Sequence, residues 1–372
     1  MRSLTINLDA ISHNLAVFRK QCPGVKICGV VKANAYGHGM IPVARHLQAQ
    51  GVDYLGVADI DEALQLRDAG ITIPVLAWLH NYDEDFVAAV EGNVDLGVST
   101  TGQLDAAALA ATNLGMVARI HLKVDTGLGR NGATMTEWAD LVAHAKQHAQ
   151  AGNIVVVGIF SHLSSTSVTD DLAQIANFDA AVAQAAAAGI TPELRHLTAS
   201  DGSLSYPQAH YEMVRIGVSL YGLSPFTDHT SAEYGLVPAM TATARVVQVK
   251  TVEAGQGVSY GYQYRTAART KLALVPVGYA EGLPRLSSGS ASVVIKGKSY
   301  VIAARIAMDQ FVIDVGNDDI EPGDIVVLFG DPALGVPAAD DLAAAASTIN
   351  YEIVTRMGGR FVRQYVGQGA QE

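Results

Sequence analysis

Up to about residue 225, short β-branched runs alternate with longer helical stretches, and this alternation restricts the fold more than any other feature. After a strand-like segment, LTINL, the runs are VKICGVV, DYLGVA, IPVLAW, VDLGVS, VARIHLKV, IVVVGIF, LRHLTA and VRIGVSLYG. Helical patterns such as ADIDEALQLRDAG and TTGQLDAAALAAT intervene. Eight strand–helix units in this order predict a (β/α)₈ TIM-like barrel rather than an open sheet, although Gly217 interrupts the eighth run. From about residue 236 the helical period disappears. ATARVVQVKTVEAG, TKLALVPVGY and SASVVIKGKSYVIAARIAMDQFVIDVG read as strands broken by Gly and Pro turns. The expectation is an α/β chain with a barrel over 1–235 and a mostly-β domain over 236–372. A length of 372 residues, 49% of them hydrophobic, suits two cores, since single cores rarely grow beyond about 300 residues.

The charge balance limits the partners. Asp and Glu number 36 against 25 Lys and Arg, a net charge of −11, which argues against nucleic acid and anionic membrane. Cys22 and Cys28 are the only cysteines. They make no disulfide framework and no zinc spacing, so free thiols in a reducing compartment are the default, with a single bridge left open. No metal site is expected. The opening MRSLTINLDAISHNL has no apolar leader core, and no run reaches membrane-spanning length, so a soluble cytoplasmic protein is expected.

Two motifs point elsewhere. GLGRNG at 127–132 matches the dinucleotide fingerprint, but several βα units precede it, whereas the fingerprint belongs to the first βα turn of its domain. GVSYG at 257–261 matches the esterase nucleophile elbow. That motif needs a strand-to-helix turn and a later histidine, and the last histidine in the chain is His229.

In a barrel, reactive side chains belong at the C-terminal ends of strands. Lys32 ends the first apolar run and opens VVKANAYGHG. On the strand alone, the plainer reading is the first solvated residue of a loop. The other rim positions change that balance. Tyr36 follows Lys32, Lys123 and Arg130 flank the fifth run, His162 ends the sixth, Ser200 follows the seventh, and Arg215 lies in the eighth. Together they offer an amine able to form a Schiff base, hydroxyls for a phosphate, and fixed cations.

VVKANAYGHG, KVDTGLGRNG, MVRIGVSLYGLSP, GVSYGYQYRT, ARIAMDQFVIDVG and NYEIVTRMGGRFVRQY, in that order, resemble the alanine racemase family over nearly the whole chain. The resemblance implies a pyridoxal 5′-phosphate enzyme that interconverts L- and D-alanine by two bases and supplies D-alanine for peptidoglycan. Lys32 would hold the cofactor as an internal aldimine and act on one face of the substrate. Tyr260 would act on the other, a poor base at its usual pKa of about 10 unless a cation such as Arg130 stabilises the phenolate. Tyr36, Ser200, Tyr351 and the backbone amides of Gly217 and Val218 would hold the phosphate. Arg215, braced by His162, would face the pyridine nitrogen without protonating it, leaving a weaker electron sink than a carboxylate would. Arg130 and the Met308 backbone amide would bind the substrate carboxylate, and Lys123 matches a lysine often carbamylated in the family. The family pairs as a homodimer whose sites draw on both chains.

The chain departs from the family at Ala199, where asparagine is usual, at Ser167, often Asp in the substrate corridor, and at Leu283, commonly tyrosine; Arg305 keeps its usual place. These changes bear on substrate breadth, leaving a serine or broader small-amino-acid racemase as an alternative. A decarboxylase of the same plan would need a carboxylate at Arg215 and a cysteine in the β-domain, and the chain has no cysteine there. A non-catalytic pyridoxal-phosphate-binding barrel would need neither the second domain nor Tyr260.

Overall fold

The computed structural model describes residues 2–370. LTINL forms β1 (Ser3–Asn7), and the eight runs form β2 (Lys26–Val30), β3 (Tyr54–Val57), β4 (Val75–Ala77), β5 (Asp95–Val98), β6 (Ala118–Lys123), β7 (Ile154–Phe160), β8 (Leu194–His196) and β9 (Met213–Ile216). Strands β2 to β9 make one parallel sheet in the order β8-β7-β6-β5-β4-β3-β2-β9. Its two ends meet where the amides of Glu212 and Arg215 donate to the carbonyls of Arg195 (3.2 Å) and Thr198 (3.1 Å). The expected barrel is therefore present. Every residue of β3, β4, β5 and β9 is buried, which is why these strands read as unbroken runs rather than alternating ones.

Helices between the strands begin on side-chain caps. Thr100 caps Thr101–Leu114, accepting from the Gln103 amide. Ser167 caps the 20-residue helix Val168–Ala187, accepting from the Asp170 amide. The serine that departs from the family pattern thus has a structural task.

By compactness the chain divides discontinuously. One unit holds Leu15–Ala33 and Met40–Leu220, which carry the barrel; the other holds residues up to Asn14, Asn34–Gly39 and the chain from Tyr221 onward. The second unit is built on a nine-stranded sheet in which β1 lies between Met240–Arg245, antiparallel, and Val362–Val366, parallel. It is mostly β, but Ala339–Ala345 and Asn350–Arg356 are helices, contrary to a complete loss of helical period after 236. Their buried positions, Ala339, Leu342 and Ala343 in one and Asn350, Ile353 and Val354 in the other, do recur at helical spacing, but each helix has only 7 residues, too few for the period to stand out in the sequence.

Candidate active site

The barrel unit gathers a cationic mouth. Lys32 lies two residues past β2, half-buried, with its Nζ 5.8 Å from the Trp78 ring centroid. Burial, then the charges of Arg130 and Arg215, lower its pKa from the ordinary lysine value, against an opposing pull from Glu62. Lys123 ends β6 and is buried, its Nζ 5.3 Å from the Phe160 centroid. Burial first, then Arg215 and Arg130, bring its pKa down to about 7. Arg130 is exposed in the loop that follows.

Arg215, in β9, is 6% exposed. Its Nη1 donates to the His196 carbonyl (2.9 Å) and lies 3.0 Å from His196 Nδ1. Its Nη2 donates to the carbonyls of Ser161 (2.7 Å) and Leu197 (3.0 Å) and lies 3.2 Å from His162 Nδ1. His162 thus lies within hydrogen-bond distance of Arg215. Burial, with Arg215, Arg130 and the two lysines, holds the His162 pKa well below the ordinary value, so the ring is neutral and can accept from the guanidinium. All these partners of Arg215 are neutral. Ser200 is buried and its Oγ accepts from the Gly217 amide at 3.1 Å, which joins two of the expected phosphate contacts; Val218 follows, also buried.

Lys32–Tyr36 makes one helical turn, and it is left-handed: Ala33, Asn34, Ala35 and Tyr36 have φ of 52, 55, 54 and 50°. Four consecutive non-glycine residues in this region cost roughly 1–2 kcal/mol each. Two features hold the turn. Glu62 accepts from the amides of Ala33 (2.6 Å) and Ala58 (2.8 Å). His38, fully buried, donates from Nδ1 to the carbonyls of Ala35 and Tyr36 (3.0 Å each) and stacks on Tyr221 at 4.4 Å. Gly37 completes it, since a Cβ there would stand 2.2 Å from the Val354 carbonyl oxygen. Tyr36 is brought to Tyr351, ring centroids 6.3 Å apart.

In the β-rich unit Tyr260 is 70% exposed. It sits on a strained turn: Ser259 has φ 55°, Gly261 74° and Tyr262 45°. Ser259 Oγ donates to the Arg305 carbonyl at 2.8 Å, tying this turn to the segment that leads to Met308. Met308 is exposed, and its carbonyl accepts from the Ala280 amide at 2.9 Å. Asp309 accepts from Arg360 Nη2 at 2.7 Å.

The two misleading motifs are engaged in structural work. In GLGRNG, the Asp125 carboxylate takes the amides of Gly127 (3.0 Å) and Gly129 (3.1 Å), donors a pyrophosphate would need. In GVSYG, the Ser259 hydroxyl is spent on the Arg305 carbonyl, and the turn that follows, Tyr260–Tyr262, is a short 3-10 turn rather than an α-helix. Cys22 and Cys28 are free and buried. Sequence reasoning does not single out Asp95, His121, His196 or Glu62. The signal was present for three of them: a carboxylate and two imidazoles inside VDLGVS, VARIHLKV and LRHLTA, strands otherwise apolar.

The comparisons agree with this architecture. The family models for the alanine racemase N-terminal and C-terminal domains match residues 6–225 and 239–365. The alanine racemase of Frankia casuarinae is 46% identical over 97% of this chain and 95% of its own, and that of Thermobifida fusca 44% over 97% of each. The crystal structure of alanine racemase from Streptomyces lavendulae superposes with a TM-score of 0.97, at 44% identity, covering 98% of this chain and 97% of that one. Barrel and β-rich unit are thus those of a known enzyme class: the chain belongs to the alanine racemase family and is an amino-acid racemase.

Proposed function

We propose that this racemase uses pyridoxal 5′-phosphate to interconvert L- and D-alanine, with Lys32 and Tyr260 moving protons on opposite faces of the substrate Cα. The state of Arg215 carries this reading. Both terminal nitrogens are taken up by neutral acceptors, and its Nε–H has no hydrogen-bond partner among the described residues. An arginine in that state can donate to a ring nitrogen while keeping its own proton.

The other donors fit the same group. The depressed Lys32 amine suits an aldehyde, because only the neutral amine is nucleophilic. In the barrel unit the Ser200 hydroxyl, to which the Gly217 amide donates, and the Val218 amide suit a phosphate; in the β-rich unit Tyr36 and Tyr351, ring centroids 6.3 Å apart, offer two further hydroxyls. When bound, pyridoxal phosphate supplies the electron withdrawal that acidifies Cα–H. The Lys32 amine would take or return a proton on one face of Cα, and the Tyr260 phenol would serve the other. Arg130 and the Met308 amide hold the substrate carboxylate. A carbamate on Lys123 would replace a cation that repels Arg130 with an anion that fixes it.

Exposure of Tyr260 on a strained turn supports a homodimer in which it serves the partner's cofactor. We place the product, D-alanine, in cytoplasmic supply of peptidoglycan; among the described residues no helix is long and apolar enough to cross a membrane.

Solvent exchange in D₂O tests the two-carrier reading. The wild type should exchange the α-proton of both enantiomers. Lys32→Ala should lose exchange of one enantiomer and Tyr260→Phe that of the other, each by about 10²–10⁴-fold. Loss of the same enantiomer in both variants would contradict carriers on opposite faces.

A further inference from the structure

A line of buried polar side chains runs down the barrel axis from Arg215. His196 Nδ1 lies 3.0 Å from Arg215 Nη1, His196 Nε2 lies 2.9 Å from His121 Nδ1, and His121 Nε2 lies 3.1 Å from Asp95 Oδ2. At the far end Arg119 Nε donates to Asp95 Oδ1 (2.6 Å) and Tyr54 OH to Asp95 Oδ2 (3.0 Å). Asp95, His121 and His196 are at most 1% exposed. Barrel interiors are ordinarily filled by branched apolar side chains, and polar groups left in such a place are costly unless fully paired.

The ends of the line dictate its protons. Arginine only donates, so His196 Nδ1 must accept and the neutral ring carries its proton on Nε2. That proton points at His121 Nδ1, which must therefore accept, leaving the His121 proton on Nε2 facing Asp95. The carboxylate, which only accepts, demands the same arrangement from the other side. Every bond then runs one way, from mouth to floor.

The surroundings are shaped for these rings. A Cβ at residue 158 would stand 2.2 Å from His121 Nδ1, so glycine on β7 makes room for the imidazole. Phe160 stacks on His196 with centroids 4.8 Å apart and planes at 7°. Burial alone would raise the Asp95 pKa, but the bonds from His121 and Arg119 outweigh it and hold the carboxyl below its ordinary range. The terminal carboxylate therefore stays ionised.

We propose that Asp95, His121 and His196 are positioning residues for Arg215: the chain anchors one face of its guanidinium to a remote carboxylate, so that Nε–H is directed outward while no acid touches the arginine. This rests on the reading of Arg215 as the partner of the cofactor ring. It explains how an arginine can be fixed without a contacting counter-ion that would draw on its donors.

Two measurements test it. In wild-type holoenzyme labelled with [¹⁵N]histidine, His121 and His196 should show neutral rings protonated at Nε2 near neutral pH. A proton on Nδ1 of either ring would overturn the proposal, and this readout is independent of turnover. In Asp95→Asn, with folding checked by its melting temperature, kcat should fall about 10- to 100-fold, as misplacement of a positioned group does, with KM for alanine within twofold. The fixed Nε2–H state of His196 should be lost as well. Unchanged kcat and an unchanged His196 ring would overturn it. Should Asp95→Asn fail to fold, His121→Asn cuts the same chain one link higher and carries the same outcomes. If the wild type itself neither binds pyridoxal phosphate nor racemises alanine, it is the cofactor reading that fails, not the chain.

Discussion

At the scale of single residues, the mouth is a place where cations have been pressed together and partly dried. Lys123 shows the consequence most plainly. In the unfolded chain it keeps its proton up to about 10.5, but in the fold only up to about 7. Between these values the unfolded state binds the extra proton, so stability rises as pH climbs from about 7 to 10.5 and is flat, on this account, below 7. Lys123→Met should therefore raise the melting temperature of CO₂-free enzyme at pH 7, by an amount that shrinks as the pH approaches 10. Calorimetry at several pH values checks this; a gain independent of pH would mean the lysine is not desolvated. Lys32 and Lys123 were legible in the sequence only in company: alone at a strand end Lys32 reads as a solvated loop residue, and the other polar rim positions change that balance. His121 and His196 were not, since one imidazole in a strand is usually a satisfied core residue, and only the fold brings β5, β6, β8 and β9 together into a line.

At the scale of elements, the parallel strands were read correctly because burial on both faces leaves an apolar run with no alternation to misread. The turn after Lys32 was opaque. Nothing in KANAY marks a left-handed conformation, as its residues before Gly37 are not glycine, and the bonds from Glu62 and His38 that hold it come from 29 residues beyond Ala33 and from within the same motif. Glycine adopts such φ values without the Cβ penalty. Ala33→Gly, at an exposed position, should thus stabilise the fold by about 1 kcal/mol, seen as a higher melting temperature. The same freedom loosens the hold on the neighbouring Lys32, so kcat should drop even as stability rises. A lower melting temperature would show that the turn is not under strain.

At the scale of the whole molecule, the sequence order of barrel then β-domain was legible, but the membership of β1 was not. Its partners are residues 240–245 and 362–366, more than 230 positions away, and no local pattern announces such pairings. The proposed dimer belongs to this scale. Its sites need Lys32 of one protomer and Tyr260 of the other, an arrangement that a two-fold pairing supplies twice. Mixing Lys32→Ala with Tyr260→Phe measures this directly. After reassortment of equal amounts, about half the dimers are mixed, and each holds one site with both native residues and one with neither. Racemisation of L-alanine, followed by chiral analysis, should then return to roughly a quarter of the wild-type rate from two nearly inactive parents. No recovery, with mixed dimers demonstrated by mass spectrometry, would contradict the account, because Tyr260 would then serve its own chain or no cofactor at all.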